Sequence, residues 1–460
     1  MRLQKTCIVA MTFFVLMPTL SVSSEPVPLR PPERGFISTE VAETWEAGLI
    51  CGNGTIGANI LSRPLDETII FTHERLFLPE GDPVLPPLLA PRLDEIRRLI
   101  GQGQYTAATE LAFELSGQSS FMYPDRFVPA FDLSIKTEAD GKVRDYRRSV
   151  DFQTGEAVVQ WGDKRGLFER RMFVSRKDGM AVILLTGPGK GTLDCQLKLK
   201  PRDPSPQLKP KALEQSKHTF EQNIIDLKTT ADSGTLTFQN GFAQAYEGSI
   251  QALEGVVHIE AKGGRLEAED GTLFISGADE ALLLVDIELL RDAAVSRIQE
   301  TKASLAKRAK RYRRLLKRHA ALHSELFNRM RLDLGGGADH GLPTEELLAK
   351  TSNDNLNKAL VEKVFDAGRY NIISCTGELP PNLQGVWGGT YQPGWASDYT
   401  HNGNVPSAVA SMLMGNMPEL MLAYTSYIES IIPGMEQNAK RIFGARGVVL
   451  PSRTSTHGYN

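Results

Sequence analysis

The sequence predicts a multidomain β plus α protein, in which a large antiparallel β-domain is followed by helices. From about Pro28 to Ala281, apolar residues recur mainly with a period of two, and Gly and Asp turns separate the runs. After about Leu289 the period becomes that of a helix. At 460 residues, two or three domains are expected, and 41% hydrophobic content can supply their cores. A net charge of −3 predicts no overall attraction to nucleic acid or membranes.

Residues 1–24 have the three parts of a signal peptide. Arg2 and Lys5 form a basic start, Cys7 to Leu20 an apolar core, and residues 21–24 a small-residue cleavage site. The apolar run is short for a membrane span, and an uncleaved anchor is the alternative. We expect export to the periplasm or the extracellular space, without stable membrane insertion.

Three cysteines remain after such a cleavage: Cys51, Cys195 and Cys375. Export would place them in an oxidising compartment, where disulfides can form. They are too few and too widely spaced for a disulfide framework, so we expect packing to supply the stability.

Residues 25–288 are predicted to form the β-domain, an antiparallel sandwich. Leu193 to Leu199 alternates strictly between apolar and polar residues, and Ala181 to Leu185 is typical of a buried strand. Asp270-Gly271 lies between two strand-like runs and indicates a hairpin with a type I′ turn. One helical interruption is predicted, an α-hairpin over residues 93–115 with its turn at a Gly-Gln-Gly sequence.

Residues 289–340 are predicted to form a helical linker. Lys302 to Arg318 contains nine Lys or Arg residues and no acid, a pattern that can bind phosphate groups. The alternative is a long connecting helix with a solvated basic face. Apolar residues such as Leu305 and Leu315 favour the connecting helix, and only Tyr312 could stack on a base. We therefore predict no nucleic-acid partner.

Residues 341–460 are predicted to be helical. Asn416 with Glu419 is a start signal for a helix over Leu420 to Ile432, and Pro433-Gly434 is expected to end it. Four apolar residues of an earlier helix are expected to share one face: Leu356, Leu360, Val364 and Phe365.

Two patterns could indicate a cofactor or a metal. Residues 52–57 satisfy the glycine spacing of dinucleotide-binding loops, but strand-like residues and a proline follow where that fold needs a helix. A tight glycine turn between two strands is predicted instead. His319 and His323 have a zinc-compatible spacing, yet no glutamate lies between them and no third ligand is evident, which favours a surface helix. We predict no cofactor and no metal site.

Residues 378–404 carry the strongest functional signals. They combine two of the four tryptophans with Pro-Pro, glycines, and amide, acid and imidazole side chains. A polar, aromatic loop on a helical scaffold is where a sugar-processing enzyme would place its chemistry. Inverting hydrolysis of a glycoside needs an acid for the leaving oxygen and a base that activates water. An asparagine carbonyl can orient that water and pass on polarisation from a nearby carboxylate.

Leu379 to Trp387, Asp398-Tyr399 and Asn402-Gly403-Asn404 resemble the signature of glycoside hydrolase family 95, the α-L-fucosidase and α-L-galactosidase family. The segment from Trp45 to Leu76 resembles the opening of that family's N-terminal domain, and the resemblance covers nearly all of the mature chain. It implies an N-terminal β-sandwich of the supersandwich type, a helical linker and an (α/α)₆ barrel. Only the first third of the barrel is expected within residues 341–460.

The resemblance implies that Asn402 and Asn404 are catalytic and position the attacking water. The general acid and a partner aspartate would come from later barrel segments, so the chain as it stands is expected to be truncated and inactive. Two alternatives remain. Asn-Gly-Asn could be only a turn in which Gly403 supplies a positive φ, or the chain could be an inactive carbohydrate-binding remnant.

Trp395, Asp398 and His401 are the expected substrate-binding residues. An aromatic ring can stack on a sugar face, but a tryptophan in a glycine-rich loop can equally anchor that loop to the core. Both interpretations apply to Trp387, Trp395 and Tyr399. We favour Trp395 for the sugar because it is close to Asp398.

The chain departs from the pattern that family members commonly show, which is His-Leu-Asn-Ile-Asn and then Gln-Met-Asn-Tyr-Trp. Thr400, His401 and Gly403 replace the His, Leu and Ile, and residues 406–410 are Pro-Ser-Ala-Val-Ala. An oligosaccharide or polysaccharide substrate is expected, with fucose not the only possible sugar. No motif indicates the glycosidic linkage that is cleaved or the oligomeric state.

Overall fold

The computed structural model describes residues 29–117, 124–204 and 210–459, so the predicted signal peptide lies outside the described residues. The strands are β1 (Gly35–Ser38), β2 (Leu49–Gly52), β3 (Ile56–Ile60), β4 (Asp66–His73), β5 (Phe131–Lys136), β6 (Arg144–Asp151), β7 (Glu156–Asp163), β8 (Gly166–Val174), β9 (Ala181–Thr186), β10 (Leu193–Lys200), β11 (Ile224–Asp232), β12 (Thr235–Phe242), β13 (Ala252–Glu269), β14 (Thr272–Leu290), β15 (Tyr399–Thr400) and β16 (Arg453–Thr454). The helices are α1 (Leu93–Gly101), α2 (Tyr105–Ser116), α3 (Pro210–Asn223), α4 (Ile298–Arg308), α5 (Tyr312–Phe327), α6 (Thr344–Ala349), α7 (Lys358–Cys375), α8 (Asn404–Met414), α9 (Met421–Ser430) and α10 (Ile432–Phe443).

Strands β1 to β14 form one antiparallel sheet that folds over on itself. Its order is β1-β6-β7-β8-β9-β14-β10-β5-β4-β3-β2, and β11, β12 and β13 extend it from β14. The long β14 pairs with β10 over residues 272–278 and with β9 over residues 280–285, so it belongs to both halves. β2, at one end of the order, contacts β6, β7 and β8 near the other end. The two halves therefore enclose the core as layers, which confirms the predicted sandwich.

Several local predictions for the β-domain are confirmed. Buried and exposed residues alternate along β10. The turn between β13 and β14 has Asp270 at φ 47° and Gly271 at φ 70°, as a type I′ turn requires. The α-hairpin is α1 and α2. Residues 52–57 form a turn between the antiparallel strands β2 and β3, so the glycine pattern serves a strand connection.

The predicted long linker helix is wrong in one respect, because it is two helices. The backbone is extended at Ala309 and Arg311, with ψ of 121° and 132°, so α4 ends before these residues and α5 begins after them. Leu305 and Leu315, one from each helix, are nevertheless fully buried. They belong to a second hydrophobic cluster against the outer face of the sheet, with Phe173 among its members.

The basic residues of the linker pair with carboxylates of the β-domain. Lys302 Nζ lies 2.8 Å from Asp232, Arg308 Nη2 lies 2.8 Å from Asp286, and Arg318 Nη2 lies 3.0 Å from Asp178. Part of the positive charge is thus neutralised within the protein. The linker's charge therefore acts to dock α4 and α5 on the sheet.

His319 and His323 are buried, so their predicted place on a surface helix is wrong. Both lie on the face of α5 that packs against the β-domain, with 1% and 0% exposure. His319 Nδ1 accepts a hydrogen bond from the Arg176 backbone N–H, and His323 Nε2 bonds to the Phe152 carbonyl at 3.0 Å. Burial lowers the pKa of both imidazoles, so they are neutral. No cluster of three potential metal ligands occurs among the described residues.

Two helix-boundary predictions fail after residue 400. Asn416 has φ 58° and ends the turn after α8, so it does not cap the next helix. Pro433 lies in the first turn of α10. Backbone N–H groups in the first turn make no intrahelical hydrogen bond, so a proline is tolerated there. Proline here starts a helix instead of ending one.

The buried face of α7 includes charged residues, whereas the predicted apolar face lies partly in solvent. Leu356, which was predicted to belong to that face, precedes the helix and is exposed. Val364 is 64% exposed. On the opposite side, Asp366 pairs with Arg34 of the β-domain, and Lys363 Nζ donates to the Gly35 carbonyl at 2.8 Å. Arg369 donates to three backbone carbonyls. Buried polar contacts of this kind are specific in direction, so α7 fixes the β-domain against the helical region.

Among the described residues, no helix combines the length and the apolar character needed to cross a bilayer.

Candidate functional site

The glycine turn between β2 and β3 positions the loop that follows α7. Gly54 has φ 94°, and a Cβ there would lie 2.2 Å from the Thr376 carbonyl oxygen, so only glycine fits. The Gly54 N–H donates to the Ser374 carbonyl at 2.8 Å. Trp387 is 7% exposed, and its indole N–H donates to the Cys51 carbonyl at 2.7 Å. Trp387 therefore anchors the loop to the β-domain.

Trp395 lies on a strained stretch of this loop. Trp395, Ala396 and Ser397 have φ values of 58°, 55° and 50°, a conformation that typically costs on the order of 1 kcal/mol or more for each non-glycine residue. Two hydrogen bonds hold the stretch in place. The Phe127 N–H donates to the Ala396 carbonyl at 2.9 Å, and Ser397 Oγ donates to Asn382 Oδ1 at 3.1 Å. As a result the Trp395 side chain is 72% exposed and available to a ligand.

Asp398 is fully buried and both of its oxygens are engaged. Arg453 Nε and Nη2 approach Oδ2 at 2.7 and 2.6 Å, and Thr400 Oγ1 donates to Oδ1 at 2.7 Å. Burial raises the pKa of Asp398, whereas the Thr400 hydrogen bond and the Arg453 cation oppose that rise. Arg453 Nη2 also donates to the Trp395 carbonyl at 2.7 Å, and its guanidinium lies 5.4 Å from the Trp395 ring centroid. Arg453 thus ties Asp398 to Trp395.

His401 and Tyr399 lie below the surface. His401 is 8% exposed, and its ring stacks on Tyr427 with centroids 5.9 Å apart. Neither ring nitrogen has a hydrogen-bond partner among the described residues. Burial lowers the pKa of His401 to about 4, so the ring is neutral at pH 7. Tyr399 is 1% exposed and packs between Phe77 and Tyr427, so it anchors the loop.

Asn402 and Asn404 are exposed where α8 begins. Gly403 between them has φ 179°, which is extended backbone, so the alternative of a turn that needs a positive φ is wrong. Gly403 and Asn404 line a cavity of about 280 Å³, the loop cavity, together with Asn382, Leu383 and Ser407 among others. The structure therefore leaves the two predicted catalytic amides open to a ligand, while Asp398 and His401 are covered.

A larger cavity of about 790 Å³, the interdomain cavity, lies between the β-domain and the helical region. Residues of both parts line it, among them Glu74, Asp125, Tyr246, Tyr399 and Thr456. It shares no lining residue with the loop cavity, and none of the five predicted site residues lines it. Sequence reasoning missed Arg453, Glu74 and Asp125, because each acquires its neighbours only through long-range packing. The one local signal was an acid directly after the apolar strand β4.

Glu74 and Asp125 share an unusual protonation behaviour. Glu74 is 5% exposed, and burial raises its pKa to about 7, although the Leu379 N–H donates to its carboxylate at 2.9 Å. Burial and the neighbouring Glu80 raise the pKa of Asp125 to about 7 as well. Two carboxyl groups that exchange protons near neutrality therefore lie in one cavity, which is a common feature of functional sites.

We expect the contribution of Glu74 to the stability of the protein to decrease as pH rises from about 4.5 to about 7. Between the ordinary pKa of 4.5 and the raised value of about 7, folded Glu74 holds a proton that the unfolded chain releases. The contribution is present below 4.5 and lost above 7. Glu74→Gln cannot ionise, so its thermal midpoint measured from pH 4 to 8 should vary less than that of the native protein. The exposed Glu247→Gln is the control, and an unchanged pH slope in Glu74→Gln would contradict the assignment.

Comparison with known proteins gives two family matches. Residues 37–289 match "Glycosyl hydrolase family 65, N-terminal domain", and residues 311–460 match "Glycosyl hydrolase family 95 catalytic domain". A β-sandwich followed by a helical region with these matches defines the class of glycoside hydrolases. Within that class, residues 311–460 belong to the family 95 catalytic domain, and residues 37–289 form an N-terminal domain of the family 65 type. The predicted resemblance is confirmed.

Curated relatives carry α-fucosidase names. "Alpha-L-fucosidase 2" of Arabidopsis thaliana is 24% identical over 432 residues, which cover 89% of this chain and 50% of the relative. "Probable alpha-fucosidase A" of Aspergillus oryzae is 23% identical over 91% of this chain and 58% of its own length. A protein of the same name from Aspergillus niger (strain ATCC MYA-4892 / CBS 513.88 / FGSC A1513) is 33% identical over 35% of this chain and 21% of its own length. The chain thus spans about half the length of the two relatives that it matches over most of its own length.

Proposed function

We propose that this chain is part of an exported, inverting glycosidase that removes a terminal α-L-fucosyl or closely similar sugar from glycans. The observation that carries the proposal is the exposure of Asn402 and Asn404, the second of which lines the loop cavity. The resemblance implies that these two residues are the water-positioning amides. The names of the curated relatives support the sugar class. Each amide carbonyl can accept a hydrogen bond from the attacking water and direct its lone pair at the anomeric carbon.

Trp395 is the proposed sugar platform. Trp395 is 72% exposed, and Arg453 holds its ring in place. An apolar sugar face can therefore stack on the ring without the entropic cost of ordering the side chain. Asp398 and His401 are assigned a supporting role in the conformation described, because their side chains are buried under the loop. Direct contact of either with the sugar would require the loop to open.

No carboxyl group belongs to the described residues that line the loop cavity. The resemblance assigns the general acid and the carboxylate that polarises the amides to other segments of the barrel. The same observation favours a second candidate, a carbohydrate-binding module without catalysis. The two candidates differ in turnover, since a binding module would retain a fucosylated glycan on Trp395 but release no sugar.

The test is hydrolysis of fucosylated oligosaccharides and aryl α-L-fucosides by a protein that also contains the barrel segments expected to supply the acid, followed by NMR of the first sugar released. An inverting enzyme forms β-L-fucose first, because water attacks the face opposite the leaving oxygen. Release of α-L-fucose first would contradict the mechanism. Saturable binding without any release, abolished by Trp395→Ala, would establish the binding module instead.

Export is the remaining part of the proposal and rests on the basic, apolar and small-residue pattern of residues 1–24. We expect exported protein to begin after about Ser23 or Ser24. N-terminal sequencing checks this, and exported material that starts at Met1 would contradict it.

A further inference from the structure

The interdomain cavity has walls from both parts of the protein. The β-domain supplies the end of β4 and the turn at Tyr246, and the helical region supplies Leu379, Tyr399 and Thr456. With a volume of about 790 Å³, it lies within the range of about 300–1,000 Å³ that is typical of small-molecule sites. Cavities between domains are also where such sites are most often found.

Contacts across the cavity fix its shape without a ligand. The Leu379 N–H donates to Glu74 at 2.9 Å, and Arg75 pairs with Glu378 at 2.7 Å, so two bonds link β4 to the loop after α7. On the far side, burial raises the pKa of Tyr246, and the Thr456 side chain opposes that rise. A cavity that is formed in advance spares a ligand the entropic cost of ordering its site.

Several charged residues that line the cavity form ion pairs with one another. Arg75 pairs with Glu378, and Arg297 pairs with Glu288 at 2.9 Å. Glu74 and Asp125 remain as carboxyl groups whose raised pKa values let them both donate and accept hydrogen bonds near neutral pH. Arg291 is a third cation of the lining, and it donates to the Gly248 carbonyl. Once Glu74 and Asp125 ionise, four carboxylates face three arginines, which disfavours an anionic ligand, whereas sugar hydroxyls can bond to either form of the two carboxyl groups.

The cavity also offers an aromatic surface. Tyr246 is half-buried, so part of its ring is open to the cavity, and Tyr399 and Tyr427 form the wall behind it with ring centroids 4.3 Å apart. Thr55, Ser249 and Thr456 also line the cavity. Aromatic rings beside carboxyl and hydroxyl groups match the apolar faces and the hydroxyls of an uncharged sugar.

We propose that the interdomain cavity is a second saccharide-binding site, which takes an uncharged part of the glycan through Glu74, Asp125 and Tyr246. The class of ligand rests on the proposed function, whereas the site itself does not depend on turnover at Asn404. β15 connects the two sites, because Tyr399 lines the interdomain cavity and the preceding Asp398 holds the Trp395 loop through Arg453.

The experiment is isothermal titration of the full chain with 2′-fucosyllactose and with lactose, both uncharged, on an Asn404→Ala background that prevents turnover. Tyr246→Ala and the isosteric Asp125→Asn should each weaken binding to the interdomain site by about tenfold or more. Tyr105→Ala removes an exposed tyrosine of α2 that lines neither cavity, and should leave binding unchanged. Thermal midpoints show whether each variant is folded.

Trp395→Ala separates this proposal from the proposed function. If the titration of Trp395→Ala lacks one binding event and that of Tyr246→Ala lacks a different one, the protein has two sites. If Tyr246→Ala and Asp125→Asn bind both sugars as the Tyr105→Ala control does, or if neither sugar binds at all, the interdomain site is overturned. If the cavity variants lose binding but no fucoside is hydrolysed even by a protein that also contains the barrel segments expected to supply the acid, the interdomain site stands and the glycosidase proposal fails.

Discussion

In a protein that also contains the barrel segments expected to supply the acid, Asn404→Ala is expected to lower kcat on α-L-fucosides by about 10²–10⁴ while KM changes little. The amide positions water, and water is bonded most strongly when it attacks the anomeric carbon. Removal of that group therefore raises the transition state more than the Michaelis complex. Steady-state kinetics on the active protein measure both constants. Asn402→Ala should likewise lower kcat and change KM little.

The matched control for this prediction is Asn371→Ala, which removes an asparagine from the exposed face of α7. It should keep native kinetics. If Asn404→Ala also keeps a near-native kcat, the amides are structural and the water must be positioned elsewhere. If it raises KM with kcat unchanged, Asn404 contacts the sugar in the ground state and is a binding residue.

Arg453→Ala is expected to destabilise the loop region by about 3–5 kcal/mol, because it leaves the buried Asp398 carboxylate without its cation. The same change removes the hydrogen bond to the Trp395 carbonyl, so the left-handed stretch from Trp395 to Ser397 should relax. Denaturant unfolding and limited proteolysis near residues 390–400 measure the two effects. The loss should shrink at low pH, because a protonated Asp398 needs no cation.

Two substitutions provide controls for Arg453. Arg453→Lys keeps the charge but cannot reach Asp398 and the Trp395 carbonyl with one planar group, so it should restore only part of the stability. The exposed Arg446→Ala should change stability by less than about 0.5 kcal/mol. A stable, protease-resistant Arg453→Ala protein would show that other contacts hold the loop.

The β-domain was largely predictable because its signals are local. Strict alternation in β10 and the Asp270-Gly271 turn depend on residues that are neighbours in the chain, and both were found as predicted. The helix boundaries were harder. Pro433 has the same backbone restriction whether it ends or begins a helix, so only the packing of α10 distinguishes the two cases.

Burial, by contrast, was decided by tertiary structure. His319 and His323 look like surface residues of a basic helix, but docking on the sheet covers them. The charged residues of α7 face inward because Arg34 and the Gly35 carbonyl of the β-domain bind them. The periodicity of the helix does not indicate these partners, because they are distant in the chain.

Residue patterns alone were enough to predict the order of a β-domain and a helical region, the family resemblance, and the loop over residues 378–404 that carries the candidate chemistry. These follow from short-range periodicity and from a contiguous signature. Only the tertiary structure decided that Trp395 is exposed while Asp398 is buried under Arg453, and that Glu74 and Asp125 meet Tyr246 in one cavity. The physical reason is that a side chain's solvation, and with it the proton affinity of a carboxyl, depends on neighbours that are far away in the chain.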